Sequence, residues 1–278
     1  MEKYKIEKDS VQETLLIPLY ARKAASERYP DLIQDPSAQR ILERIDAEAL
    51  SSVDDDSMMV AYGSLEAAQR VYDLTVEVRE YLEKHPDATV VNMGSGLDDL
   101  FSRVDNGRCK GLNIDFPETI KVRDALLPAQ GREENLAADL NDYAWMDKVD
   151  GSKGAVFAAS GVLYYFTREE ALALIKALSE RFPGGMLVFD STNSLGLKMM
   201  LKTAVKKAEI KDVKAYFSLS DPVKELSSLS PSVSSVSYKR YMTGYRKLKG
   251  IGALFHILDW VADHVVKMNI VRVCFKEK

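Results

Sequence analysis

Residues 89–98, Thr89-Val90-Val91-Asn92-Met93-Gly94-Ser95-Gly96-Leu97-Asp98, run from an apolar stretch into a glycine turn. A short run of apolar and β-branched residues that does not alternate fits a strand buried on both faces, the usual state in a parallel sheet. Gly94 and Gly96 remove side chains where a ligand must come close, and both tolerate a positive φ. A plain strand-to-helix turn has the same pattern, so the residues around the turn must decide between the two.

Downstream of the turn, short apolar runs alternate with helices. Strands are expected at Cys109–Ile114, Asn135–Asp139, Gly154–Ala159 and Gly185–Asp190, and helices at Glu118–Leu127 and Arg168–Arg181. That alternation predicts an α/β fold with a mostly parallel sheet covered on both faces. Upstream, the first third reads as helical: Val11–Arg28, a helix from the cap Asp35-Pro36 through about Glu48, a polar break at 51–57, then a long amphipathic helix from Met59 to Lys84. His85-Pro86 ends it. In the tail, Ala215–Leu219 reads as a strand, 221–237 as a loop or short helices, 238–266 as largely helical, and Asn269–Phe275 as a final alternating strand. The domain reading is a helical cap over 1–86 and an α/β domain over 87–278, with a helical insertion at about 221–266.

Asp115 ends the second strand, 19 residues after Gly96. A carboxylate there can accept two hydrogen bonds from a ribose diol; as the residue before Phe116-Pro117 it can also cap a helix. A dinucleotide usually asks for a third glycine and a helix N-terminus aimed at its pyrophosphate. Here Asp98-Asp99 occupies that place, and two carboxylates repel a pyrophosphate but tolerate a cation. S-adenosyl-L-methionine carries a sulfonium and an α-ammonium, so the pattern points to that cofactor over NAD. Asp139 near the end of the third strand can accept from an adenine amino group, with Leu140 covering the ring; a solvated loop Asp is the alternative.

The formal net charge is −4, with 38 Lys and Arg against 42 Asp and Glu, which offers no general basic face to nucleic acid. Two distant cysteines, Cys109 and Cys274, set no disulfide framework and favour a reducing cytoplasm. Three histidines and two cysteines show no metal-ligand spacing. The most apolar late stretch, 251–268, is too charged and too short to span a membrane.

The stretches VQETLLIPLYAR (11–22), VVNMGSGLDDLFSRVDNG (90–107), NIDFPETIKVRDALLP (113–128), ADLND (138–142) and GVLYYFTREEA (161–171) resemble the leucine carboxyl methyltransferase family. The likeness is to its bacterial branch of polyketide O-methyltransferases of the tetracenomycin type, and it runs in order from about residue 11 to 192. It implies a class I S-adenosylmethionine-dependent methyltransferase: a Rossmann-like seven-stranded sheet with its last strand antiparallel, under an N-terminal helical layer. It also implies that basic residues of that layer hold the methionine carboxylate; Arg22 and Arg70 fall at the matching places, and a guanidinium fork suits a carboxylate. For both, a solvated helix face is the alternative. The cofactor site then comprises Arg22, Arg70, Gly94, Ser95, Gly96, Asp115, Phe116, Asp139, Leu140, Ser160 and Gly161. Two departures stand out: Asp98-Asp99 where the family usually has Asp-Thr, and an uncharged Ser160 where it often has a Glu that contacts the cofactor.

The partner is then a small-molecule methyl acceptor carrying a hydroxyl or carboxylate. Protein C-terminal carboxyl methylation and non-catalytic cofactor binding are the alternatives. Tyr164 and Tyr165 follow the fourth strand, where an acceptor pocket opens; one lines it and the other packs. Tyr238, Tyr241 and Tyr245 stand at helical spacing, so Tyr241 is a further pocket candidate that could stack on an aromatic acceptor, with packing as the plainer reading. His256 and Asp259 share a helix face and can pair, with a solvated face as the plainer reading. No catalytic acid or base is assigned.

Overall fold

The computed structural model describes residues 3–6, 11–31, 33–46, 58–208, 216–246 and 248–277. Helices α1 (Val11–Arg28), α2 (Pro36–Glu43) and α3 (Met58–Lys84) precede strand β1 (Thr89–Met93). Then come α4 (Leu100–Val104), β2 (Lys110–Asp115), α5 (Pro117–Leu126), β3 (Glu133–Ala137), β4 (Ala155–Ala159), α6 (Arg168–Arg181) and β5 (Met186–Ser191). The chain closes with α7 (Ser194–Ala208), α8 (Pro222–Leu226), β6 (Val233–Arg240), α9 (Ala253–His264) and β7 (Asn269–Phe275).

The sheet order is β3-β2-β1-β4-β5-β7-β6. Strands β1 to β5 pair in parallel, and β7 runs antiparallel to both β5 and β6. This is the seven-stranded arrangement expected. Order reverses between β1 and β4, and a crevice for a ligand opens beyond the carboxyl ends of such a pair. Every residue of β1, β4 and β5 is buried, with alternate side chains facing opposite layers. Val90, Val156 and Val188 pack under α3 through Leu74, Val78 and Leu82. Val91, Phe157 and Phe189 share the other core with Leu174 and Leu178 of α6. Each such side chain taken from water contributes roughly 1.5–3 kcal/mol.

Local signals set several element ends. Asp35 caps α2, accepting from Ala38 N at 3.0 Å, with Pro36 in the first turn. Thr167 and Glu170 form a capping box at the start of α6. The helix expected to reach about Glu48 stops at Glu43, and the polar segment 51–57 lies outside the described residues.

The tail differs from its sequence reading. The segment 221–266 is not one helical insertion: the short helix α8 at Pro222–Leu226 and helix α9 at Ala253–His264 are separated by strand β6, Val233–Arg240. Tyr238 therefore sits on a strand, while Tyr241 and Tyr245 lie in the turn and loop after it. Only pairing with β7, some thirty residues on, completes the backbone bonds of β6, and a Ser-rich edge strand has no apolar pattern to announce it. The expected strand at 215–219 is also absent over its described part, 216–219. That segment instead crosses the ends of β4 and β5, where Tyr216 N donates to Tyr164 O at 2.7 Å and Leu219 N to Thr192 O at 2.9 Å. Asp259, read as solvated, is 3% exposed and faces α3, accepting from Tyr62 Oη at 3.3 Å.

Helix α3 carries a buried acid toward α9. Asp73 is fully buried; one oxygen accepts from Gln69 Nε2 at 3.0 Å and the other has no partner among the described residues. Burial pushes its carboxyl up to about 9, against the lowering effect of Arg246 and Gln69. In the unfolded chain the group ionises near 3.9. Between those values the folded state holds a proton that the unfolded state has released, so stability falls as pH rises and levels off above 9. Asp73→Asn keeps the acceptor for Gln69 and removes the titration. Urea unfolding at pH 5, 7 and 9 is expected to show the wild type losing up to about 5 kcal/mol more than the variant over that range; parallel pH curves would rule the effect out.

Candidate functional site

The glycine turn lies at the carboxyl end of β1, with φ of +60° at Gly94 and +48° at Gly96. A Cβ on Gly94 would stand 2.5 Å from Val162 Cγ2, because the loops after β1 and β4 press together at the switch point. Ser95 N donates to Ile114 O at 3.0 Å, and Asp98 N closes the turn onto Ser95 O at 2.9 Å. The turn is thus held in a fixed shape, with no side chain at Gly94 or Gly96.

Asp115, at the end of β2, fixes that surface and stays partly available. Oδ2 accepts from Gly96 N and Oδ1 from Phe116 N, each at 2.8 Å. Each carboxylate oxygen has a second lone pair, so both can still accept. Burial raises this carboxyl against those two amide bonds. The diol role and the local capping role expected of Asp115 are geometrically compatible. Phe116 is exposed beside it. Asp139 lies past the end of β3, exposed, and accepts from Asn141 N at 2.9 Å; Leu140 turns inward to the core.

The two arginines have different surroundings. Arg22 is 6% exposed; Nε donates to Asp35 Oδ2 at 2.8 Å and Nη2 to Leu97 O at 2.7 Å. It ties α1 to the glycine turn, and its fork is not open for a ligand carboxylate. Arg70 reaches the carboxyl end of β4, where its Nη1 would be 2.9 Å from a Cβ on Gly161. Gly161 has φ of +70°, and its N–H donates to Asp190 Oδ1 at 2.6 Å. Asp190 Oδ2 accepts from Arg70 Nη1 at 3.2 Å. Ser160, half-buried, precedes this junction.

The acids after the turn are not both bare charges. Arg103 Nη2 lies 2.9 Å from each oxygen of Asp98, and Arg22 Nη1 is 3.8 Å from Oδ1. Asp98 is therefore neutralised locally, and only Asp99 remains of the charge expected to repel a pyrophosphate. The tyrosines separate as well. Tyr164 is buried and hydrogen-bonded to Asp190, and burial holds its hydroxyl well above the usual phenol range. Tyr241 is 2% exposed and donates to Glu66 O at 2.9 Å. Tyr165 is 53% exposed at the mouth.

Two residues that sequence reasoning passed over organise the site. Asp190 lies one residue before the end of β5, much as Asp115 ends β2, a parallel that could have marked it. Arg123 on α5 gave no signal, since an arginine in a helix reads as solvated. It is fully buried, donating through Nη1 to Gly96 O at 3.1 Å and Asp98 O at 2.7 Å and through Nε to Asn135 Oδ1 at 3.1 Å.

Two buried polar atoms in this crevice, Ser95 Oγ and Arg70 Nε, have no partner among the described residues. Buried polar atoms normally find one. With the bare glycine turn and the two open lone pairs of Asp115, they fit a nucleoside bearing an amino-acid end.

Comparison with known proteins agrees. The family model described as Leucine carboxyl methyltransferase matches residues 16–179, more than half of the chain. The tetracenomycin polyketide synthesis O-methyltransferase TcmP of Streptomyces glaucescens is 26% identical over 184 residues, covering 65% of this chain and 66% of that protein. The S-adenosyl-L-methionine-dependent methyltransferase dpfgK of Gibberella zeae is 25% identical over 281 residues, covering 95% of this chain and 93% of that protein. Among solved structures, a duf574 family protein of Streptomyces avermitilis shares the fold with a TM-score of 0.56 at 11% identity, over 92% of this chain and 96% of that one. The N-methyltransferase NodS of Bradyrhizobium japonicum, solved with S-adenosyl-L-homocysteine, does so with a TM-score of 0.50 at 14% identity, over 87% of this chain and 100% of that one.

Substitution at the turn should separate folding from binding. Gly94→Ala puts a Cβ against Val162 at a positive φ, and is expected to weaken S-adenosylhomocysteine at least tenfold by calorimetry. Asp115→Ala is expected to weaken it by about 1–3 kcal/mol, as loss of a buried acceptor should. Unchanged affinity in both variants would move the cofactor away from this turn.

Proposed function

The chain belongs to the leucine carboxyl methyltransferase family, and on that premise we propose that it transfers the methyl group of S-adenosyl-L-methionine to an oxygen of a small molecule, a hydroxyl or a carboxylate. The name of TcmP supports the small-molecule, O-directed reading, and that of dpfgK supports the cofactor. The observation that carries the cofactor assignment is the Arg70 fork against the bare backbone of Gly161, beside the glycine turn.

Each residue has a part in that reading. Arg70 binds the amino-acid carboxylate, and Gly94, Ser95, Gly96 and Gly161 let the cofactor lie against backbone. Asp115 accepts from the ribose diol with the lone pairs left over from Gly96 and Phe116. Asp139, exposed past β3, takes the adenine edge, whereas Leu140, expected to cover the ring, is turned into the core and is not available to it. Arg22 acts indirectly, by holding α1 over Leu97.

The cofactor supplies an already activated methyl group. What the protein must add is alignment with the acceptor and exclusion of water, and alignment alone can lower a barrier by about 7–11 kcal/mol. A carboxylate acceptor needs no base, whereas an alcohol does. In this reading Tyr165, which is exposed, touches the acceptor, while the buried Tyr164 and Tyr241 pack behind Arg70. No described helix is long and apolar enough to cross a membrane. Both cysteines are free thiols, which suits the cytoplasm.

Calorimetric titration with S-adenosylhomocysteine and then NAD tests the cofactor. Binding of the first and not the second is expected; absence of the first would overturn the assignment. Arg70→Ala is expected to lose about 1–3 kcal/mol of that binding. A screen for transfer of isotope-labelled methyl to hydroxyl and carboxylic-acid compounds then identifies the acceptor class.

A further inference from the structure

Glu66 lies on α3 four residues before Arg70, so the two side chains share one face of the helix, one turn apart. Its main-chain carbonyl accepts from Tyr241 Oη at 2.9 Å. Its half-buried carboxylate accepts no hydrogen bond and forms no ion pair among the described residues. Leaving such a group without a donor is costly, which asks what the carboxylate is for.

The groups around it are named by their elements. Arg70 and Tyr62 flank it on α3, Tyr241 faces it from the turn after β6, and Asp259 faces it from α9. Arg70 is the one cation of that set, and it is drawn to Asp190. Asp190 is the other acid at this corner, and its oxygens are taken by Gly161 N, Arg70 Nη1 and Tyr164. An amino-acid end whose carboxylate sits on the Arg70 fork brings an α-ammonium within a bond or two of the same place. That ammonium carries three donors. Glu66 is the carboxylate left open to receive them.

We propose that Glu66 is a cofactor-binding residue, pairing with the α-ammonium of the amino-acid end whose carboxylate Arg70 holds. This rests on the S-adenosylmethionine reading of the crevice. The pair makes that end of the site zwitterionic, with the signs of the ligand reversed. It selects a cofactor with an intact amino acid over nucleosides that lack one.

A proton linkage follows. Burial pushes Glu66 up to about 7, Arg70 lowers it and Asp259 raises it. An ammonium partner favours the ionised form, so binding near pH 7 should expel roughly half a proton. Affinity should rise with pH through 7 and then level.

The test compares wild type and Glu66→Gln by calorimetry, with S-adenosylhomocysteine and with 5′-methylthioadenosine, which keeps the nucleoside and thioether but lacks the amino-acid end. Titrations in buffers of different ionisation enthalpy count protons. The variant is expected to bind S-adenosylhomocysteine about 10- to 100-fold more weakly, to bind methylthioadenosine as the wild type does, and to release no proton. Equal S-adenosylhomocysteine affinity in the two proteins overturns the role of Glu66, as does an equal loss for both ligands, which would mark a structural effect. Wild-type protein that binds neither ligand overturns the cofactor reading itself, and the proposal with it.

Discussion

The guanidinium of Arg123 has no contact with water, and the loop after β1 depends on it. Its donors reach two carbonyls of that loop, Gly96 O and Asp98 O, and continue into Asn135 and Glu133 of β3. Asn113 bridges the same two side chains, at 2.9 Å and 2.7 Å, and lies against Asn92 of β1. A polar ladder thus crosses three parallel strands beneath the loop. Buried groups of this kind are tolerated only when nearly all of them are satisfied, and the ones here largely satisfy each other. With its carbonyls turned toward Arg123 and the Gly96 amide turned toward Asp115, the loop presents little but backbone to the crevice.

The N-terminal layer uses the same loop from the other side. Leu16 and Leu19 of α1 share a core with Ile41, Leu97 and Val122, so the cap packs on the glycine turn and on α5 together. A Cβ on Gly96 would touch Leu15 at 3.4 Å. Arg22 adds a polar tie between Asp35 and the Leu97 carbonyl. Cap, turn and α5 therefore form one packed unit, and a ligand seated on the turn lies close beneath α1. Helix α3 does a second job: one face buries its apolar residues on the sheet, while Arg70 reaches over the end of β4.

The tail completes the sheet and walls the site. Strand β7 inserts antiparallel between β5 and β6, which places Asp190 opposite Ile270 in a fully buried register. Glu77 of α3 binds Arg272 of β7 and Lys239 of β6, clamping the long helix onto the two late strands. Tyr241, beyond β6, is brought under α3 by that clamp. The site is thus assembled from segments more than a hundred residues apart.

The buried strands, the glycine turn and Asp115 were legible because their causes are local. Apolar runs, glycines at positive φ and an acid at a strand end need no partner to be recognised. The same holds for the Asp35-Pro36 cap and the box at Thr167. Strand β6 was not legible, since its hydrogen bonds come from β7 and its side chains are mostly Ser, Tyr and Lys. Nor was the pairing of charged side chains that meet across elements. Arg22 and Arg70 look alike in sequence, yet one is consumed by Asp35 and the other reaches the crevice. Asp98 reads as a free charge until Arg103 is beside it, and Asp190 and Arg123 gain their meaning only across strands. The sequence by itself determined the sheet's parallel core, the glycine turn at the end of β1 and the family to which the chain belongs. Only the tertiary structure decided which ionisable groups are paired and which remain open to a ligand, because pairing depends on distances between elements that no local pattern encodes.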